Sequence, residues 1–96
     1  MDLADWRKKI DAIDRDLVRL LNDRARCVVE IGKIKRDNSL PILESSREQE
    51  VLKNVVDSNQ GPLDAEQLRR VFEQIVEEGK GLQRRLFEKA KSEPRP

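Results

Sequence analysis

Ninety-six residues can form one domain whose own core buries only a modest share of its surface, so a second copy supplying apolar contact is an early expectation. With 36% apolar and 41% charged residues, 20 basic against 19 acidic, the chain has the profile of amphipathic helices with solvated outer faces. Near-neutral charge excludes a nucleic-acid binder that works through a broad basic face. There is no histidine and Cys27 is the single cysteine, which excludes an internal disulfide, a CxxC zinc pair and every Ser-His or Cys-His nucleophile.

The opening MDLADWRKKI lacks the apolar stretch of a leader, and no run approaches the roughly 20 apolar residues of a membrane span. A soluble, cytoplasmic chain is expected, with no membrane partner, metal or other cofactor. Turn chemistry at Asp37-Asn38-Ser39-Leu40-Pro41 and Ser58-Asn59-Gln60-Gly61-Pro62 divides it into three helices, over about 3–37, 45–58 and 64–91, in one domain spanning 1–96. Ser45 with Glu48 and Asp64 with Gln67 have the spacing of capping boxes, which marks the second and third starts. Lys91 to Pro96 reads as a frayed tail.

The first helix carries the strongest pattern. Leu3, Trp6, Ile10, Ile13, Leu17, Leu20, position 24, Cys27, Ile31 and Ile34 step by three and four without a miss, as in the seam of a coiled coil. At about 1.5 Å per residue this helix is about 50 Å long, more than a chain of this size can cover. Two such helices from two copies would cover each other.

Position 24 of that seam is Arg24. A guanidinium among apolar side chains needs an anion, supplied either by a nearby acidic residue, with the charge merely setting helix register, or by a ligand. Lys35 follows eleven residues later, within about 20° on the same face and some 16 Å along the axis, so the two side chains can lean together onto a small dianion. Arg7, seventeen residues before Arg24 and roughly 25 Å away, cannot reach the same ligand from its own chain. It is either a solvated terminal arginine or a contribution to a partner's site.

The second helix opens with Glu44, Ser45, Ser46, Arg47 and Glu48 and continues into Val51, Leu52 and Val55, so polar groups head an apolar stripe. Glu48 is open to two readings, the returning carboxylate of a capping box or a ligand-binding group, and Arg47 to surface charge or site. The third helix places Leu68, Phe72, Ile75, Gly79, Leu82 and Leu86 at helical spacing. Gln83 lies four residues after Gly79 and four before Phe87, a neutral amide in an apolar face that wants a hydrogen-bond partner.

The ordered set of Trp6-Arg7-Lys8-Lys9-Ile10-Asp11-Ala12-Ile13-Asp14, Leu20 to Arg24, Glu30 to Lys35, Pro41-Ile42, Arg47 to Leu52 and Phe72 to Gln83 resembles the all-helical chorismate mutase family, over about residues 3 to 87. The resemblance implies an all-α fold of three helices per chain, with a long first helix, in an intertwined homodimer. It implies an enzyme that rearranges chorismate to prephenate in phenylalanine and tyrosine biosynthesis, an intramolecular Claisen reaction catalysed without a cofactor.

By the same resemblance Arg24 binds a substrate carboxylate, Lys35 meets a carboxylate and the ether oxygen, and Gln83 donates to the ether oxygen. Glu48, with the backbone around Glu44, takes the ring hydroxyl, Arg47 stands beside them, and Arg7 crosses from the partner chain. Two positions depart from the family's usual pattern: Gly79 stands where a serine commonly assists carboxylate binding, and Glu44 where an aspartate is common. Two other readings stay open, an isochorismate-pyruvate lyase of the same fold and a non-catalytic helical dimer acting as a regulatory module. Association with another shikimate-pathway enzyme is a further expectation.

Overall fold

The computed structural model describes residues 1–92; Lys91 and Ser92, expected in the frayed tail, still belong to the last helix, and the rest of that tail lies outside the described residues. The fold is all-α: α1 covers Leu3–Asp37, α2 Ser45–Asp57 and α3 Ala65–Ser92. The long first helix is as expected, and the other boundaries fall within one residue of those read from the turns.

Each helix begins and ends for a local reason. At the start of α1 the Asp5 amide donates to Asp2 Oδ1 at 2.9 Å and the Asp2 amide to Asp5 Oδ2 at 3.2 Å, a reciprocal box that satisfies two otherwise orphaned donors. Lys35 and Arg36 occupy its last turn, where cations favour the helix dipole. Termination comes from Ser39, whose φ of 55° is left-handed. There the Leu40 amide reaches back to the Lys35 carbonyl at 2.7 Å and the Ser39 amide to that of Arg36 at 3.3 Å, the bonding of a Schellman turn. The Asp64–Gln67 box that opens α3 is formed in both directions, at 2.7 and 3.0 Å.

The box expected at Ser45 and Glu48 is not formed. Glu44 is the N-cap of α2, with no side-chain cap hydrogen bond, and Ser45 is already helical. Glu48 is engaged elsewhere, by an ammonium from α3, a stronger partner for a carboxylate than a backbone amide at a mostly solvated helix end.

α3 packs against both other helices, while α1 and α2 do not pack on each other among the described residues. α1 and α3 run in the same direction, Arg24 and Val28 lying by Gly79 and Gly32 by Gln83 and Leu86. The extents are 62 × 27 × 15 Å. A thickness of 15 Å barely exceeds the roughly 10–12 Å diameter of one helix, so the chain is a single layer where a domain ordinarily has two. Its radius of gyration, 17.3 Å, exceeds the roughly 12 Å of a compact chain of this length. Among the described residues Leu52, 7% exposed, is the buried hydrophobic side chain, whereas Trp6, Ile10, Ile13, Leu17 and Leu20 on the α1 seam stay half exposed.

α1 and α3 come closest at Gly32, the one buried residue of α1. A Cβ there would lie 3.0 Å from Gln83 Cγ and 3.2 Å from Leu86 Cδ2, so glycine sets the helix separation. Gly81, by contrast, has nothing within 4 Å of an added Cβ. Gly32→Val is therefore expected to destabilise the fold by ~1–3 kcal/mol through overpacking, while Gly81→Ala stabilises it by ~0.5–1 kcal/mol through helix propensity. Chemical denaturation of the two variants checks both signs.

Candidate functional site

A cavity of about 230 Å³ opens where the C-terminal half of α1, the start of α2 and the middle of α3 meet. Val28, Ile31, Ile42, Val51 and Val76 supply its apolar walls. Its charged and polar lining is Arg24, Lys35, Glu44, Arg47, Glu48, Lys80 and Gln83, four cations and two carboxylates, with Glu50 and Glu77 paired to Arg47 and Lys80 from just outside it. Such a cavity suits a small dianion with an apolar body.

Seven of the eight residues singled out from the sequence meet here: Arg24, Lys35, Glu44, Arg47, Glu48, Gly79 and Gln83. Arg7 does not. It lies on the exposed N-terminal half of α1, roughly 25 Å along the helix from Arg24.

Each side chain is held differently. The Lys35 side chain is only 13% exposed; its ammonium donates to the Ile42 carbonyl at 3.0 Å and lies 3.9 Å from Glu44 Oε2. The Schellman turn after α1 reverses the chain and brings that carbonyl back over the helix end. An ammonium has three hydrogens, so donors remain for a ligand. Gln83, 5% exposed, donates one amide hydrogen to the Val28 carbonyl at 3.0 Å, which locks the side chain and leaves a second hydrogen on Nε2.

Arg24 is half-buried, and no hydrogen bond or ion pair reaches its guanidinium among the described residues. A Cβ at Gly79 would stand 3.8 Å from Arg24 Nη1, so the missing side chain leaves room beside the charge. Arg47 lines the mouth but pairs with Glu50 on its own helix and is 56% exposed.

Lys80 is the member that sequence reasoning missed. Its ammonium sits 2.8 Å from Glu48 Oε1, across from α3 to α2, and 3.0 Å from Glu77 Oε2. The signal was available: residue 80 falls four after Val76 and three before Gln83, the spacing of one helix face. What hid it was the abundance of lysines with equal claim to solvent. Hydrogen bonding to Glu48, then to Glu77, raises the Lys80 pKa above the ordinary lysine value, and the bond from Lys80 is the main cause that lowers Glu77.

Comparison with known proteins adds to this geometry. The sequence model of the family described as chorismate mutase type II matches residues 6–84. The bifunctional chorismate mutase/prephenate dehydratase of Aquifex aeolicus is 33% identical over 89 residues, which cover 88% of this chain and 25% of that protein. The protein of the same description from Pseudomonas aeruginosa is 35% identical over 75 residues, 73% of this chain and 20% of that one. The chain thus spans about a quarter or less of the curated relatives it matches. Among solved structures, a chorismate mutase from Thermus thermophilus (form II) superposes with a TM-score of 0.85 at 34% identity, covering 86% of this chain and 94% of that one.

The Lys80 cluster has a pH signature. A lowered carboxyl contributes stability above its unfolded value, about 4.3 for glutamate, and loses it as pH falls through the lower folded value. A raised ammonium contributes fully below about 10.4 and loses it as pH rises through the higher folded value. The difference in Tm between parent and Lys80→Met should therefore be flat from about pH 5 to 10 and change on both sides of that window. Thermal melts across pH measure it; a difference that varies within the window counts against the pairing.

Proposed function

We propose, because the chain belongs to the type II chorismate mutase family, that it converts chorismate to prephenate in the biosynthesis of phenylalanine and tyrosine. The observation that carries this reading is the half-buried Arg24 guanidinium, which has no partner among the described residues, in a cavity with Lys35 and Gln83 on the same walls.

The reaction breaks a carbon–oxygen bond and forms a carbon–carbon bond within one molecule, with no nucleophile and no proton transfer. A protein accelerates it by holding the substrate folded and by placing donors where negative charge grows on the ether oxygen. Arg24 takes one carboxylate. Lys35 meets a carboxylate and the ether oxygen, and the second amide hydrogen of Gln83 is given to the same oxygen. Both donors are anchored beforehand, by the Ile42 and Val28 carbonyls, so little reorganisation is needed as the charge develops.

Glu48, with the backbone at Glu44, accepts the ring hydroxyl. Arg47 exchanges Glu50 for substrate when the cavity fills. Gly79 adds no hydroxyl to the carboxylate site.

The working form in this reading is a cytoplasmic homodimer. What supports it is the bare seam of α1 together with an apolar groove lined by Leu17, Leu21, Ala25, Val71, Ile75 and Leu82, a face that a second copy would bury. Arg7, too far from its own chain's cavity, then reaches the partner's.

Loss of chorismate absorbance with prephenate as product is the direct assay, run beside isochorismate to separate mutase from lyase. Arg24→Ala and Lys35→Ala should each lower kcat/KM by ~100-fold or more, since Lys35 is a donor aimed at developing charge, which contributes ~3 kcal/mol, and Arg24 is the charged partner that holds a carboxylate in place. Near-parent activity in either variant removes that residue from the site.

The shared site has its own test. Arg7→Ala and Lys35→Ala homodimers should both be nearly inactive. Unfolded together and refolded as a mixture, they form heterodimers in which one site carries both lesions and the other neither, so activity returns to about a quarter of the parent's by twofold symmetry. No recovery despite verified subunit exchange places Arg7 outside the partner's site.

A further inference from the structure

We propose that Lys80 is a positioning residue for Glu48, fixing that carboxylate so that it presents an oxygen to the substrate's ring hydroxyl. The inference rests on the mutase reading above and adds a residue to it.

Glu48 lies in the first turn of α2 without the local restraint that its sequence suggested, since Ser45 is helical and no capping box forms. A glutamate side chain with several free torsions is a poor template for a hydroxyl, because it must be ordered when the ligand binds. Lys80 supplies the restraint from the opposite wall: its ammonium holds Glu48 Oε1 at 2.8 Å, with the two side chains only 20% and 24% exposed. A carboxylate has two oxygens and about four acceptor sites, so one contact with Lys80 leaves capacity for a hydroxyl donor.

The lysine is itself anchored from behind. Glu77, one turn earlier on α3, takes the same ammonium at 3.0 Å and also lies 3.5 Å from Arg84. Glu77 is not among the cavity-lining residues. Two carboxylates on one ammonium leave little positive field for a third anion. Arg24 is the opposite case, a cation with no anion among the described residues, so the substrate's carboxylates go to Arg24 and its neighbours while Lys80 acts through Glu48.

A contact to a hydroxyl outside the bonds that break and form serves ground state and transition state alike, so its loss appears in KM. Steady-state kinetics on chorismate with the full chain should show KM raised about tenfold in Lys80→Met and kcat within about twofold of the parent. Lys80→Arg, which keeps charge and reach, should restore KM to within about threefold, and Lys80→Gln repeats the test if the Met variant does not fold. Adding Lys80→Met to Glu48→Gln should change kcat/KM little further, since the partner it positions has lost its charge.

Parent kinetics in both Lys80→Met and Lys80→Gln overturn the proposal. So does a fall in kcat at constant KM, which puts the ammonium on the reacting atoms. Full additivity with Glu48→Gln does so too, because Lys80 then acts on the substrate independently. A parent protein inactive on chorismate removes the mutase reading itself, and this inference with it; an active parent with silent Lys80 variants removes this inference alone.

Discussion

The approach of α3 to α1 at Gly32 governs the rest of the structure. With no side chain at that position, Gln83 and Leu86 settle directly on the α1 backbone, and the Gln83 amide reaches the Val28 carbonyl one turn earlier. That bond joins residues 55 positions apart and fixes the rotation of α3 as well as its distance. The rotation turns Gly79 and Lys80 toward the cavity, and α2, packed on α3, is carried with them. A bulkier residue at 32 would act on the cavity through helix separation even though position 32 does not line it.

The second constraint is length. A helix of 35 residues cannot be covered by the 61 residues that remain, and the chain uses its cover unevenly. Around Val28 to Lys35 the loop after α1 and α3 bury what they can; from Leu3 to Leu20 the apolar seam stays half exposed. The covered end holds the cavity and the bare end holds Arg7. In the proposed dimer a second copy laid along the bare seam would supply the missing layer, and the same step would carry Arg7 toward the partner's cavity. On this reading the length that makes the lone chain a single layer is what lets one helix serve two sites.

How much of this could be read from the residues follows the range of the interactions. The seam of α1 and the Asp64–Gln67 box depend on neighbours three and four positions away, and both were legible. Arg24 was legible because a charge in an apolar seam violates a local rule. Ser45–Glu48 has the same local signature as Asp64–Gln67 yet forms no box, since an ammonium 32 positions later in the chain takes Glu48. Lys80 was invisible for the complementary reason: a lysine beside a helix face draws no notice until the carboxylate opposite it is known. Gly32 could be seen as a glycine within a helix but not as the contact point, because nothing local says which face meets α3.

The cations of the cavity divide by what already holds them, and that division is physically informative. Among the described residues Lys80 has two carboxylates, Arg47 one on its own helix, Lys35 a carbonyl with Glu44 just beyond hydrogen-bonding distance, and Arg24 none. A satisfied cation organises its neighbours and contributes little attraction to an incoming anion, whereas an unsatisfied one in a half-buried place contributes most of it, because its partial desolvation is uncompensated until the anion arrives. The cavity thus places its attraction on the α1 wall and its restraint on the wall between α2 and α3. Under the proposed reading, an asymmetric dianion carrying a hydroxyl would meet charge on one side and an oriented acceptor on the other, so one binding pose would be favoured over its reverse. For a reaction whose barrier falls when a flexible molecule is held in one conformation, that asymmetry is the contribution these side chains can make.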